Sequence, residues 1–156
     1  MDFKSFQSQV VVLNKEEGVE VRKKYIEKFV DTTDEYYKKQ IQLKYKFSDG
    51  YCYWGYLWDC IKNPAVIDKD YIRTISKGMG SVYVFWDVHS CDRIYIENYW
   101  RFAKEAVIKL SFDTLISGEE YLPEDIYIFD ENITWTLIKT HEDINGRCYC
   151  LKSGQI

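Results

Sequence analysis

The sequence contains few residues that break regular structure, with only two prolines and eight glycines among 156 residues. No stretch approaches the roughly 18 apolar residues of a membrane-spanning helix, so we expect no contact with a membrane. Low proline and glycine, beside a 46% apolar share, exclude an intrinsically disordered chain. Because there are only two histidines, acid–base catalysis would have to rest on His89, on His141 or on carboxylates.

Basic residues are fewer than acidic residues: the chain has 21 Lys and Arg and 25 Asp and Glu, and its net charge is −4. Binding of nucleic acid through a general basic field needs clustered Lys and Arg, so we expect no nucleic-acid partner. The first 15 residues hold only one short apolar run, residues 10–13, and show no signal-peptide core or cleavage site. These features predict a cytoplasmic protein.

Motifs for cofactor binding are missing as well. Gly78-x-Gly80 is too short to cradle a phosphate and is followed by no helix signal. Neither a nucleophile elbow nor a zinc-protease helix occurs. We therefore expect no cofactor.

The five cysteines are odd in number and irregular in spacing, so a disulfide framework is not expected. A zinc site could be built from Cys148, Cys150 and His141, with His89-x-Cys91 as a further source of ligands. The spacing differs from the usual CxxC pairs. Two cysteines that share one face of a strand are more simply explained as small buried apolar groups, and we expect no metal.

Aromatic residues are abundant, with 14 Tyr, 8 Phe and 5 Trp. A chain of this length and composition is expected to form a single domain, residues 1–156, with a sizeable core. The strongest structural pattern is DIYIFDENITWTLIKTHE at 125–142. Two β-prone runs flank a polar tripeptide there, which predicts an antiparallel hairpin.

The period of two in the second run assigns the faces of the hairpin. It puts Ile133, Trp135 and Leu137 on the core face, and Thr134 and Thr136 on an outer face that meets water. If that face packs on the helix predicted at 98–110, Trp135 is the centre of the core.

Further along, Asn145-Gly146 predicts a tight turn, and residues 147–151 predict a third strand. Apolar spacing elsewhere predicts mainly helices. One helix is expected to begin at Lys15, and four more are expected at 35–45, 51–61, 65–76 and 98–110. Residues 77–80 are expected to form a turn, and residues 81–88 an inner strand.

Helices first and strands last indicate an α+β fold. We expect the N-terminal helices to pack on one face of a mainly antiparallel sheet, which ends in a C-terminal meander. Trp135 is expected to pack on the helix at 98–110.

Three segments together resemble a family of small bacterial proteins of unknown function: YLW at 56–58, SVYVFW at 81–86 and the hairpin at 125–142. Members carry an LW element, a Y-V-F strand and a strand of the form T-W-T-x-x-x-T-H-E. The chain departs from the pattern at Asp59, where a histidine is expected, and at 146–149, where Gly-Pro-Tyr is expected. The family has no known activity, so the resemblance implies no functional residue.

The segment LWDCI at 57–61 also resembles a helix of barstar, an inhibitor of a secreted ribonuclease. In that protein the aspartate that matches Asp59 is an interface anchor. The match covers five residues, and the surrounding residues do not match.

The distribution of charge favours a partner protein. Residues 119–143 hold eight acidic side chains and one lysine, a net −7 in a chain of net −4, and such asymmetry steers basic partners. We predict a protein-binding module, most concretely an immunity or inhibitor protein that masks a basic toxin or nuclease. Its expected contact residues are Trp54, Tyr56, Trp58, Asp59, Glu124, Asp125 and Glu142. The simpler alternative is a solvated acidic region that only opposes aggregation.

A second hypothesis is an enzyme or small-ligand-binding protein. It would use His141 and a carboxylate, with Glu142 adjacent in sequence, in an aromatic-lined cleft. A histidine at a strand end beside a carboxylate can be oriented for acid–base work. The simpler alternative is that His141 only hydrogen-bonds the hairpin loop and fixes its structure.

Overall fold

An antiparallel sheet of seven strands runs through the middle of the protein. The computed structural model describes residues 1–75 and 78–156. The strands of the described chain are β1 (Val11–Val12), β2 (Tyr45–Phe47), β3 (Gly50–Cys52), β4 (Ala65–Ile67), β5 (Ser81–Phe85), β6 (Ile108–Ser111), β7 (Ile126–Asp130), β8 (Trp135–Ile144) and β9 (Arg147–Gly154). β2 and β3 form a separate hairpin, and the large sheet has the order β1-β6-β5-β7-β8-β9-β4.

Helices in the described chain are mostly short. They are α1 (Phe3–Ser8), α2 (Lys15–Phe29), α3 (Glu35–Tyr37), α4 (Lys69–Ile75) and α5 (Phe112–Gly118). A π-helical turn, Lys38–Gln42, continues α3, and 3₁₀ turns span Leu57–Cys60 and Glu119–Tyr121. Among the residues described, none of the helices has the length and apolar character needed to cross a membrane.

The longest helix, α2, begins at a reciprocal cap. The side chain of Asn14 accepts a hydrogen bond from the amide of Glu17 at 2.9 Å. Its Nδ2 group donates to the carboxylate of Glu17 at 2.5 Å. The first bond satisfies an amide that has no partner inside the helix, and the second holds the side chain of Asn14 in place. The start of α2 is thus encoded locally.

Both faces of the sheet are buried. In β7, Ile126 and Ile128 belong to one core cluster, and Tyr127 and Phe129 belong to the other. Helices α1, α4 and α5 contribute to the first cluster, and α2 contributes to the second. The predicted α+β class and C-terminal meander are confirmed, and helices lie on the second face of the sheet as well as on the first.

The predicted hairpin forms from β7 and β8, but two of its face assignments are wrong. Trp135 and Leu137 do share a face, in the first core cluster. Ile133 lies in the turn at φ 54° and packs against the other cluster. Thr136 was expected to meet water, yet its exposure is 0% because α2 covers that face.

The predicted helix at 51–61 is also wrong. The segment completes β3, continues without regular structure, and ends in a 3₁₀ turn. Its amides bond across the fold: Gly55 N donates to the carbonyl of Gln40 at 2.9 Å, and Leu57 N donates to the carboxylate of Asp87 at 3.2 Å. Because tertiary partners satisfy these groups, the segment does not need helical bonds.

Three other predicted helices are corrected in part or in full. Residues 35–45 form α3, the π-helical turn and the start of β2, and residues 65–76 form β4 and then α4. Ser76, at the end of that prediction, and Lys77, in the predicted turn, lie outside the described residues.

Residues 98–107 are not helical, and β6 follows them. Phe102 and Leu110 belong to the first core cluster but Val107 belongs to the second, so the segment serves both faces rather than one helical stripe. Trp135 therefore has no such helix to pack on.

Candidate acid–base site

His141 lies in a bulge of β8. Pairing with β9 is regular up to Lys139↔Cys150 and resumes at Asp143↔Cys148. Residues 140–142 of β8 therefore face the single residue of β9 that lies between the two cysteines. Bulges of this kind bend a strand and re-aim its side chains, and they are frequent beside functional sites.

Thr140 fixes the conformation of the bulge. Its hydroxyl donates to the carbonyl of Tyr149 at 2.7 Å and accepts the amide of Glu142 at 3.2 Å. The thiol of Cys148 donates to the carbonyl of Thr140 at 3.2 Å. The bulge is thus held by its own side chains, and the backbone of His141 is positioned before any ligand arrives.

Asp125, the residue before β7, orients His141. Its Oδ1 atom accepts the backbone amide of His141 at 2.9 Å. Nδ1 of the imidazole lies 2.9 Å from both carboxylate oxygens. Asp125 is 6% exposed, whereas the His141 side chain is 36% exposed. A buried carboxylate therefore holds one ring nitrogen, and Nε2 makes no hydrogen bond to any described residue.

Aromatic rings surround the imidazole. The ring of Tyr56 lies 5.3 Å from that of His141 and stacks on Trp58 at 5.0 Å and 27°. Trp58 also lies 5.9 Å from the ring of Tyr149. Trp58 is 7% exposed, and its Nε1 group is buried without a partner among the described residues. An unpaired buried N–H is costly.

Two tyrosine hydroxyls fix the backbone of the aromatic segment at residues 56–58. The amide of Tyr56 donates to the hydroxyl of Tyr36 at 2.9 Å, and the amide of Trp58 donates to the hydroxyl of Tyr127 at 3.1 Å. These bonds, with the 3₁₀ turn Leu57–Cys60, place the two stacked rings beside His141.

A buried carboxylate, Asp87, lies beneath the segment. It accepts the hydroxyls of Tyr53 and Tyr127, each at 2.7 Å. Burial raises the pKa of Asp87, while the field of His89 and these hydrogen bonds act in the opposite direction. Asp87 thus supports Trp58 indirectly, through Tyr127.

Burial also raises the pKa of Tyr56. The carboxylates of Asp125, Asp87 and Glu142 add to the rise, and the guanidinium of Arg93 opposes it. The phenol of Tyr56 consequently stays protonated at neutral pH and is a hydrogen-bond donor. The same carboxylates give the surroundings of His141 a negative potential, which disfavours anionic ligands.

The structure brings together four of the residues singled out in the sequence: Tyr56, Trp58, Asp125 and His141. Asp59, Glu124 and Glu142 are exposed. The carboxylate partner of His141 is Asp125, sixteen residues earlier, and not the adjacent Glu142. Because Trp58 and Asp125 are buried, they offer little surface to a protein partner.

Trp54 lies on a different part of the surface. Its ring packs edge-on against Tyr45 at 5.9 Å and Phe47 at 5.5 Å. The guanidinium of Arg93 covers it at 4.1 Å. This tryptophan therefore belongs to the β2–β3 hairpin and not to the aromatic group around His141.

The acidic region 119–143 is partly neutralised by the fold. Glu119 accepts Lys139 at 3.1 Å and pairs with Lys69 at 3.3 Å. Glu131 pairs with Lys109 at 2.9 Å. Asp130 accepts hydrogen bonds from Thr134 and Trp135. The exposed carboxylates without a salt bridge to the described residues are Glu120, Glu124, Glu142 and Asp143. The field towards solvent is thus weaker than the sequence count of −7 indicates.

Sequence reasoning missed Asp87 and the role of Tyr149. An aspartate directly after the apolar run at 82–86 was the available signal, since a carboxylate there is either solvated or bonded in the core. His89 is buried and forms a hydrogen bond with the carbonyl of Gly55 at 2.6 Å.

The cysteines do not assemble a ligand set. Sγ of Cys150 lies 3.7 Å from Sγ of Cys148, but Nδ1 of His141 is occupied by Asp125. Across the described residues, no group of three or more His, Cys, Asp or Glu side chains has an arrangement suited to a metal. All five cysteines are free thiols.

Comparisons of the chain with protein-family models, with curated proteins and with solved structures found no match. The resemblances to the bacterial family and to barstar therefore stay predictions.

Proposed function

We propose that this protein binds a small, planar, neutral or cationic ligand and exchanges a proton with it at His141. One observation carries the proposal. Asp125 holds Nδ1 of a half-exposed imidazole, while Nε2 has no described partner and the ring lies within a group of aromatic side chains.

The chemistry follows from the hydrogen bonds. When Nδ1–H donates to Asp125, the neutral imidazole carries a lone pair on Nε2 and can act as a base. Proton transfer from a ligand hydroxyl or amine to Nε2 creates an imidazolium, which the carboxylate 2.9 Å away stabilises. A positioned group of this kind typically contributes about 10²–10⁴-fold to a rate.

Aromatic faces and local charge define the ligand class. The half-buried ring of Tyr56 offers a face for stacking. The carboxylates of Asp125 and Glu142 raise the pKa of Tyr56, and the same field opposes an anion. A cation over Tyr56 is further favoured by the ring quadrupole.

Two phenols of opposite charge test the ligand class: tyramine, a cation, and 3-(4-hydroxyphenyl)propionate, an anion. The imidazole resonances of His141 are read by NMR, with the buried His89 as internal reference. Tyramine should shift His141 in a saturable way and the propionate should not. Tyr56→Ala should abolish the shift, while the matched control Trp54→Ala should keep it.

The geometry has its own test. Long-range ¹H–¹⁵N spectra should show His141 protonated on Nδ1, and Asp125→Asn should disturb that tautomer without unfolding the chain. A wild-type His141 protonated on Nε2, or equal shifts by both phenols, would contradict the proposal.

A protein-binding module of the immunity or inhibitor type is the second candidate. It is supported by the four exposed carboxylates of 119–143 without salt bridges to the described residues. Two of them, Glu124 and Glu142, flank the His141–Asp125 pair in sequence. Tyr56 and Asp59 would supply further contacts to a basic toxin or nuclease.

Charge reversal tests this candidate. A basic partner captured at about 0.1 M salt should be released at about 1 M salt, because the screening length falls from about 10 Å to about 3 Å. Glu124→Lys with Glu142→Lys should prevent capture, and Glu16→Lys with Glu20→Lys on α2 should not. Capture that is indifferent to both changes would refute the electrostatic contribution.

A further inference from the structure

A second concave site lies away from His141, between α2, the π-helical turn and the 3₁₀ turn at Leu57–Cys60. Its cavity volume is about 460 Å³. Sites for small molecules commonly measure about 300–1,000 Å³. Neither His141 nor Asp125 lines this cavity.

The floor of the cavity is apolar and well ordered by packing. Ile41, Tyr53 and Leu57 line it and are 4%, 4% and 1% exposed. Ile26 of α2 and Val88 add to the lining. A ligand with an apolar body would be removed from water here, at a gain of about 25 cal/mol per Å² of apolar surface.

Arg22 provides a fixed cation at the cavity. Its Nη1 and Nη2 atoms both donate to the carbonyl of Trp86 at 3.2 Å, and its Cζ atom lies 4.3 Å from the ring centre of Phe85. The guanidinium makes no salt bridge to a carboxylate among the described residues. Five N–H groups are present in arginine, so three donors stay available after the two bonds to Trp86.

Charge at the cavity is net positive. The lining contains three cations, Arg22, Lys23 and Lys44, and two carboxylates, Glu27 and Glu105. Neither lysine forms a salt bridge within the described part of the chain. An anionic group entering the cavity would therefore find unpaired cations, with the guanidinium already oriented.

The π-helical turn is a further indication of a binding role. It supplies Ile41 and Gln42 to the lining. Turns with π-helical geometry are rare and are frequent at functional sites.

We infer that this cavity binds a small amphipathic carboxylate, with its apolar body on Ile41, Tyr53 and Leu57 and its carboxylate on Arg22. Arginine suits this role because its planar fork matches a carboxylate with two parallel hydrogen bonds. The site is independent of the proton transfer proposed for His141.

Three probes of equal chain length test the inference: octanoate, 1-octanol and octylamine. Binding is followed by methyl NMR at Ile26, Ile41 and Val88. Octanoate should bind about tenfold or more tightly than octanol, since a hydrogen bond to a charged group contributes about 1.5–3 kcal/mol. Octylamine should bind most weakly.

Variants separate the two parts of the site. Arg22→Gln should weaken octanoate about tenfold and leave octanol unchanged, while the neighbouring Lys24→Gln, outside the cavity, should change neither. Val19 lines the cavity and is 61% exposed. The larger side chain in Val19→Trp should fill the cavity entrance and prevent binding of all three probes.

Equal affinity for the three probes, or an Arg22→Gln variant that binds octanoate normally, would overturn the inference. If Arg22→Gln does not fold, Lys23→Gln with Lys44→Gln replaces it, since both lysines are exposed. That pair should still weaken octanoate relative to octanol, and unchanged selectivity would likewise overturn the inference.

Discussion

The phenolic hydroxyl of Tyr25 lies 2.8 Å from the hydroxyl of Thr136, and both residues are completely buried. The Thr136 hydroxyl also donates to the carbonyl of Ile128 at 3.0 Å. Tyr25 is therefore the donor in the first bond. This contact joins α2 to β8 in the middle of the core and gives a β-strand threonine a structural role that its sequence pattern does not indicate.

The two residues are expected to be coupled energetically. Thr136→Val leaves the buried hydroxyl of Tyr25 without an acceptor and should cost about 1–3 kcal/mol. Tyr25→Phe removes only the donor and should cost about 0.5–1.5 kcal/mol. The double variant should cost less than the sum, because no tyrosine hydroxyl is then left unsatisfied. Urea denaturation of all four proteins measures the cycle, and strict additivity would show that the bond contributes nothing.

Trp135 is expected to be a stability determinant. It is 7% exposed within the first core cluster. Trp135→Ala should cost about 3–5 kcal/mol through lost transfer free energy and the cavity left behind. Trp54→Ala, at a side chain 39% exposed, is the matched control and should cost clearly less. Thermal melts compare the two, and a greater loss for Trp54 would contradict this placement of the core.

Asp87 should make stability depend on pH. Burial raises its pKa above the ordinary 3.8. Only well below the ordinary pKa of 3.8 is the carboxyl protonated in both states. As the pH rises towards the folded pKa, the unfolded chain loses this proton first, so the contribution of Asp87 to the free energy of unfolding falls.

Asp87→Asn cannot ionise and tests that sign. The unfolding free energy of the variant minus that of the wild type should increase as the pH rises from about 4 to about 7. Urea denaturation across this range gives the two curves. Parallel curves, or a difference that moves the other way, would contradict the assignment to Asp87.

The cysteines should divide by reactivity. Cys91 is exposed and Cys148 half-buried, whereas Cys52, Cys60 and Cys150 are buried. Burial raises the pKa of the Cys60 thiol to about 12. In native protein a thiol reagent should label Cys91 quickly, Cys148 slowly and the buried three only in denaturant. Peptide mapping identifies the sites, and Cys91→Ser should remove the fast phase.

Local pattern was a sound guide where neighbouring residues make the structure. The hairpin at 125–142 follows from two β-prone runs and a polar turn, and the start of α2 follows from the helical spacing that begins at Lys15. The pattern failed at 98–110 for a definite reason. A spacing of three or four also arises when a non-helical chain alternately fills two cores, as Val107 and Leu110, three residues apart, do.

The sequence identifies residues of the candidate site but not how they pair. The sequence singled out His141 and Asp125 separately, and it named Glu142 as the neighbouring carboxylate. The register Ile126↔Lys139 in the β7–β8 pair places Asp125 beside the bulge that holds His141. A one-residue change of register would separate them, so the pair depends on the hairpin alignment and not on either residue alone.

The sequence by itself determined the α+β class, the hairpin, the start of α2 and the residue types available for chemistry, because periodicity and capping act between residues a few positions apart. Only the tertiary structure decided that both faces of the sheet are covered, that Thr136 is buried, and that Arg22 lines an apolar cavity. Such contacts join segments far apart in the chain. They exist only when every element has packed, and no local pattern records which distant surface a side chain will meet.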